Sequence, residues 1–409
     1  MPFDRIEKVL QTELEELGAT GTLKGNEDVI SKVIPAAAGL GPRFRLVGHG
    51  EREFLRMNSN SYLGMSLRDE LVAAEENAAR AFGTGPGAVR FISGSFTPHI
   101  ELEQRLAAFH GREAGMIFSS AYATTMGVLP ALITAESAVI SDELNHNCII
   151  NAMRLARPKE KHIFGHLDMG DLEAKLDAAA AHCRRAVIVT DGIFSMRGDW
   201  APLSEIAELV SRYDDRFPEN AILIVDDSHG VGSFGTTGRG TEEFTDCPPV
   251  DVLVATLGKA LGVNGGYVVG NRSLVDYLRE KSAFYIYSNP ITPAEAAAAL
   301  AALEILDSAR GSELLDHLRA MTSRFEQGLI RLGYETIPGE HPVVPLMVRD
   351  TARTSALVEH LKNHGVLATG LNFPVVPKGD EEIRFQVSAD HTPKDIDYTL
   401  TVLQSFAES

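Results

Sequence analysis

AILIVDDSHGVG (221–232) and DVLVATLGKALG (251–262) are two unbroken apolar runs that each stop at a polar residue and pass into glycine-containing chain. Asp226 closes the first run and His229 follows three residues later; Thr256 closes the second and Lys259 follows at the same offset, 33 positions beyond Asp226. Runs that are apolar at every position, rather than at alternate ones, belong to strands buried on both faces. Working outward, AGMIF (114–118), SAVI (137–140), RAVIVT (185–190) and GGYVVG (265–270) read the same way, separated by helix-like segments such as 98–109, 170–181 and 202–213. Strands alternating with helices predict a mostly parallel sheet covered on both faces. After an Ala-rich helix near 293–309 the texture changes: VVPLMV (343–348), GVLAT (365–369) and EIRFQVS (382–388) alternate with two more helices, which predicts a smaller α/β domain. At the other end, Phe3, Ile6, Leu10, Leu14 and Leu17 recur at helical spacing before Gly18, and the Gly/Pro-containing stretch 22–50 reads as an irregular arm. The expected division is 1–57, helix and arm; 58–290, a large catalytic domain; and 291–409, a small C-terminal domain. No internal repeat is present.

Composition narrows the function. With 38 basic and 56 acidic residues among 409, the formal net charge is −18, which disfavours coating a nucleic acid. The three cysteines, Cys148, Cys183 and Cys247, have neither metal-ligand spacing nor the number for a disulfide framework, so no metal is expected and a reducing compartment is. No apolar stretch reaches the roughly 18 residues of a membrane span, and the charged start MPFDRIEKVL lacks a signal-peptide core. The expectation is a soluble, cytoplasmic protein. A nicotinamide-binding reading fails, because GTGPGAV (83–89) does not follow an apolar strand.

Ligands of open α/β sheets bind beyond the carboxyl ends of the strands. An acid, an imidazole and a lysine gathered there suggest pyridoxal phosphate (PLP): the lysine bonds the aldehyde, and the acid keeps the pyridine nitrogen protonated so that the ring accepts electrons. The turn after AGMIF, at 119–124, offers backbone N–H groups at a helix start for the phosphate. Singly, each residue has an ordinary explanation as a cap, a surface charge or a structural histidine; the ordered set is more specific.

Further motifs carry a resemblance. NSNSYLG (58–64), VRFISGS (89–95), ELEQRLAAFHG (101–111), SDELNHNCII (141–150), TDGIFSMRGD (190–199), VDDSHGVGSFGTTGRG (225–240), TLGKALG (256–262) and FPVVPKGDEEIRFQVSADHTP (373–393) together resemble the α-oxoamine synthases, fold-type-I PLP enzymes. The look is nearest to the 2-amino-3-ketobutyrate CoA ligases (glycine C-acetyltransferases). Two stretches depart from that pattern: GKALGVNGGY (258–267) has the length seen in 5-aminolevulinate synthases, and GTGPGAVR (83–90) differs.

The resemblance implies roles. Lys259 would hold the cofactor covalently, Asp226 would pair with the pyridine nitrogen, and His229 with Ser195 would bond the ring-hydroxyl side. His146 would stack on the open ring face. Backbone N–H groups of Ala121 and Tyr122, with the Thr256 hydroxyl, would hold the phosphate, and Ser288 would reach the phosphate of a neighbouring subunit in a homodimer with shared sites. Asn60 and Arg384 would clamp the amino-acid carboxylate, Arg384 as a bidentate fork. The implied reaction condenses a small amino acid, glycine by preference, with a short acyl-CoA such as acetyl-CoA, releasing CoA. The alternatives are alanine or serine with a longer acyl thioester, as in 8-amino-7-oxononanoate synthase or serine palmitoyltransferase, and, less favoured, a PLP aminotransferase.

Overall fold

A computed structural model describes residues 3–20, 23, 27–373 and 376–407. Pro374 and Val375 of the FPVVPKGD motif lie outside the described residues, as do Met1 and Pro2. The six predicted runs assemble into one seven-stranded sheet, whose remaining strand, Glu160–Phe164, is not among them because its sequence EKHIF is half-exposed and not a continuous apolar run. The spatial order of the sheet is Ala114–Phe118, Gly266–Gly270, Val252–Thr256, Ala221–Asp226, Arg185–Asp191, Ser137–Asp142, Glu160–Phe164. Gly266–Gly270 runs antiparallel to both neighbours; every other pairing between Val252–Thr256 and Glu160–Phe164 is parallel. Continuous burial of Ala114–Phe118, Ser137–Asp142 and Gly266–Gly270 is what their uninterrupted apolar sequence requires. Parallel strands end on one side, so Asp191 and Asp226 finish as register partners, side by side.

A second, antiparallel sheet contains Glu335–Thr336, Val343–Met347, Glu382–Gln386 and Thr369–Leu371 in that order. GVLAT is not one strand but two. Val366–Leu367 pairs in parallel with Leu55–Arg56, and Thr369–Leu371 joins Glu382–Gln386, so the chain changes partner at Ala368. The Ala-rich helix is Pro293–Leu306, opened by a Thr292/Glu295 capping box, and a separate helix follows at Ala309–Arg331. Pro293–Leu306 packs against the helices Asp69–Phe82 and Thr97–Phe109.

The arm predicted as irregular holds an antiparallel pair, Ile30–Ile34 with Arg43–Leu46. RFRL (43–46) alternates, with Phe44 and Leu46 buried, but four residues beside Gly-Pro are too short a period-2 signal to stand out. The segment after it is stitched to the second sheet: Gln386 N–H donates to the Met57 carbonyl at 2.9 Å and Ala389 N–H to the Tyr62 carbonyl at 2.8 Å. The N-terminal helix forms as Asp4–Ala19, yet it buries none of its residues. Among the described residues no helix is long and apolar enough to cross a membrane.

Candidate active site

One cavity lies at the carboxyl edge of the large sheet, and its lining includes Ala121, Tyr122, His146, Ser195, Asp226, His229 and Lys259. Seven of the eleven sequence-predicted residues therefore converge on it. The same lining contains Cys148, Asp191 and Ser228, which carried no predicted role.

Asp226 is buried at the cavity wall, with protein donors on both of its oxygens. Its Oδ1 accepts from the Ser228 hydroxyl at 2.5 Å and the Ser228 N–H at 3.2 Å; its Oδ2 accepts from the Thr125 hydroxyl at 3.2 Å and the Cys148 thiol at 3.7 Å. The next residue anchors the loop instead. Asp227 accepts from the Thr241 N–H and hydroxyl, both at 2.7 Å, in a pocket where a Cβ on Gly192, Gly230 or Gly240 would meet its carboxylate at 2.2, 2.2 or 1.9 Å. The DD pair thus divides its work: Asp226 faces the cavity and Asp227 holds the glycine-rich loop that carries His229.

Lys259 is half-buried in the cavity wall, and desolvation lowers its pKa to about 8, against the opposing pull of Asp226 and Asp191. Burial, followed by the charge on Asp226, drives the Asp191 carboxyl well above the ordinary range. Asp191 also accepts from the His146 backbone N–H at 2.9 Å. His146 caps the helix Asn147–Ala156, its Nδ1 accepting from the Cys148 N–H at 3.2 Å, and desolvation lowers its pKa although part of its surface reaches solvent. His229 is pushed well below the usual histidine range, by burial first and then by Lys259. Asp191 was detectable: like Asp226 it closes an apolar strand with an acid, and only the following Gly-Ile-Phe hid the parallel.

Four predicted residues stand outside this lining. Arg384 lies close by, its Nη1 donating to the Ser195 carbonyl at 2.9 Å. With the Gln386 amide turned so that its oxygen faces the guanidinium, that oxygen accepts from Arg384 Nε at 2.5 Å and Nη2 at 2.9 Å. Asn60 is reached through Tyr62, whose hydroxyl is 3.4 Å from Asn60 Oδ1 and 2.7 Å from His229 Nδ1. The Thr256 hydroxyl is engaged in its own turn, donating to the Gly265 carbonyl at 3.2 Å and accepting from the Gly258 N–H at 3.0 Å. Ser288 is half-buried, with its hydroxyl 3.4 Å from the Asn289 carbonyl.

The model of the family described as aminotransferase class I and II matches residues 52–403. The 8-amino-7-oxononanoate synthase of Thermosipho melanesiensis is 40% identical over 350 residues, 85% of this chain and 87% of that protein. The human mitochondrial 2-amino-3-ketobutyrate coenzyme A ligase is 39% identical over 391 residues, 95% of this chain and 89% of that protein. Among solved structures, the serine palmitoyltransferase of S. paucimobilis with bound PLP and myriocin superposes with a TM-score of 0.86 at 25% identity, covering 99% of this chain and 97% of that one. The chain belongs to the class I and II aminotransferase family, and within it to the α-oxoamine synthases.

An α-oxoamine synthase is a PLP-dependent acyltransferase of fold type I, and the cavity's donor set fits that cofactor. Ser120 caps the helix Ala121–Leu132 by accepting from Ala123 N–H, which leaves the first N–H groups, of Ala121 and Tyr122, for an anion. Gly266 makes the cradle possible, because a Cβ there would lie 2.3 Å from Ala121 N. An acceptor for a ring N–H, a lysine of lowered pKa and an anion-ready helix start occupy one cavity.

Proposed function

We propose that this α-oxoamine synthase condenses glycine with a short acyl-CoA, preferably acetyl-CoA, to give a 2-amino-3-oxo acid and free CoA. The observation that carries the reaction is the convergence of Lys259, Asp226, His229 and His146 on one cavity with Arg384 beside it. Bound there, pyridoxal 5′-phosphate supplies a protonated ring that accepts the electron pair left when the amino acid loses its Cα proton. Asp226 holds the pyridine N–H. His229 and Ser195 serve the ring-hydroxyl side, and His146 covers the open face. The Ala121 and Tyr122 N–H groups would take the phosphate, joined by the Thr256 hydroxyl once it turns from the Gly265 carbonyl. Arg384 and Asn60 grip the amino-acid carboxylate and so set the Cα–H bond for proton removal, for which Lys259 Nζ, neutral above about pH 8, is the base.

Glycine and acetyl-CoA are supported by the likeness to the human ketobutyrate ligase along 95% of the chain. The 40% identity to the Thermosipho 8-amino-7-oxononanoate synthase favours a second reading, alanine with a longer acyl thioester. We place the enzyme as a homodimer in which Ser288 reaches the second copy's phosphate; the solvent-facing Phe91, Ile92 and Tyr287, each at least 66% exposed in one chain, support such a contact. We propose domain boundaries at 57 and 290. Free-thiol release over a matrix of amino acids and acyl-CoA chain lengths tests the substrate assignment. Highest kcat/KM for glycine with acetyl-CoA supports it, and preference for alanine or a longer chain replaces it with the second reading.

A further inference from the structure

Tyr62 is fully buried, and its hydroxyl has two neighbours capable of hydrogen bonding, His229 Nδ1 at 2.7 Å and Asn60 Oδ1 at 3.4 Å. We propose that Tyr62 is a positioning residue: its hydroxyl donates to His229 Nδ1 and thereby fixes His229 as the Nε2-protonated tautomer, with that N–H presented to the cavity. Phenol is the more acidic partner and imidazole nitrogen the better acceptor, so the single hydroxyl proton goes to the nitrogen. The reverse arrangement, Nδ1–H donating to the phenol, would send the Tyr62 proton to Asn60 across 3.4 Å, at the edge of hydrogen-bond range.

The surroundings leave His229 little freedom. His341 is buried, its Nδ1 accepts from Val343 N–H at 3.2 Å, and its Nε2 therefore carries the proton that it donates to the His229 carbonyl at 2.9 Å. The same ring stands edge-on to Tyr62, with centroids 5.4 Å apart. Of the groups that face His229, the basic ones, Lys259, His341, Arg384 and His146, disfavour a second proton, and burial does so most; Asp226 and Asp191 line the same cavity, and the Tyr62 hydroxyl is the titratable group in direct contact. A neutral His229 has one N–H to give, and Tyr62 decides which nitrogen carries it. Tyr62 sits on the segment that also carries Asn60, so one stretch of chain serves the amino-acid carboxylate and orients the histidine.

The part concerning the ring-hydroxyl side rests on the function proposed above, and two measurements separate the claims. In cofactor-free wild-type protein labelled with ¹⁵N-histidine and assigned with His229→Gln, His229 should show a protonated Nε2 and a bare, hydrogen-bonded Nδ1. A protonated Nδ1 overturns the proposal whatever the enzyme's substrates, and this arm needs no variant at Tyr62. In PLP-loaded Tyr62→Phe, which keeps the ring and loses only the hydroxyl, the pH midpoint of the bound-cofactor absorbance should rise by about one unit, the equivalent of one hydrogen bond. An unchanged midpoint overturns the positioning role. Failure of wild-type protein to take up PLP would instead remove the functional reading and leave the tautomer result standing.

Discussion

Arg384 arrives at the site already held. Its Nη1 meets the Ser195 carbonyl and its Nε and Nη2 meet the Gln386 amide oxygen, so the fork is oriented before any substrate enters. A charge-assisted bidentate pair is worth on the order of 1.5–3 kcal/mol, or about 10- to 100-fold in binding. Arg384→Lys keeps the charge and loses the fork, so the KM for the amino acid should rise within that range while that for acyl-CoA moves far less. Equal weakening of both substrates in steady-state kinetics would assign Arg384 to the thioester or to the fold. Lys259 makes a second prediction at this scale. Its pKa is lowered from the ordinary 10.5 to about 8, so the amine becomes neutral as pH rises through 8. Covalent capture of PLP by cofactor-free protein should therefore accelerate roughly tenfold per pH unit below that point and level off above it. Stopped-flow absorbance reads the midpoint directly; a value near that of a free lysine would contradict the buried setting.

At the scale of elements, the helix start at Ala121 and the strand at Gly266 are a matched pair. Gly266→Ala puts a methyl 2.3 Å from Ala121 N and 2.4 Å from its Cα, so the helix start must move. The variant should fold and lose PLP affinity by at least about tenfold, since the anion-binding N–H groups are displaced; titration of cofactor fluorescence measures it. A second element-level device is the clamp on the turn that carries Ser195. His166 bridges Asp142 at 3.0 Å and Asp199 at 3.2 Å. Burial opposes its charge, but the two carboxylates prevail and raise its pKa to about 9. A raised folded-state pKa contributes stability that is complete below about 6.5 and is lost as pH rises through 9. The contribution is on the order of 1–3 kcal/mol. Melting temperatures of wild type and His166→Gln should differ most near pH 6 and converge by pH 10; a constant gap would refute the clamp. Neither device was legible in the sequence. The Ser120–Ala121 turn was, because an apolar strand running into small residues announces it. The Asp142–His166–Asp199 bridge joins three separate parts of the chain, and periodicity holds no trace of such a contact. Tyr62 was visible within NSNSYLG but had no role until folding brought it to His229.

For the whole molecule, the large sheet and its strand-end chemistry were readable because burial on both faces leaves apolar runs without alternation. The Ile30–Ile34 hairpin and the split of GVLAT were not, since their partners, and not their own composition, define them. The helix Asp4–Ala19 is a similar case: its apolar spacing is plain, but among the described residues nothing buries Phe3, Ile6, Leu10 or Leu14. Residue, element and sheet meet in one site: the chain folds a lysine, an acid and an arginine to one place so that an amino acid attacks a thioester. Its most direct test is CoA thiol release by the PLP-loaded enzyme with glycine and acetyl-CoA, each omitted in turn. Release that requires both substrates and disappears in Lys259→Ala is the predicted result. Release without the amino acid, or amino transfer to a 2-oxo acid with no thiol formed, would contradict it.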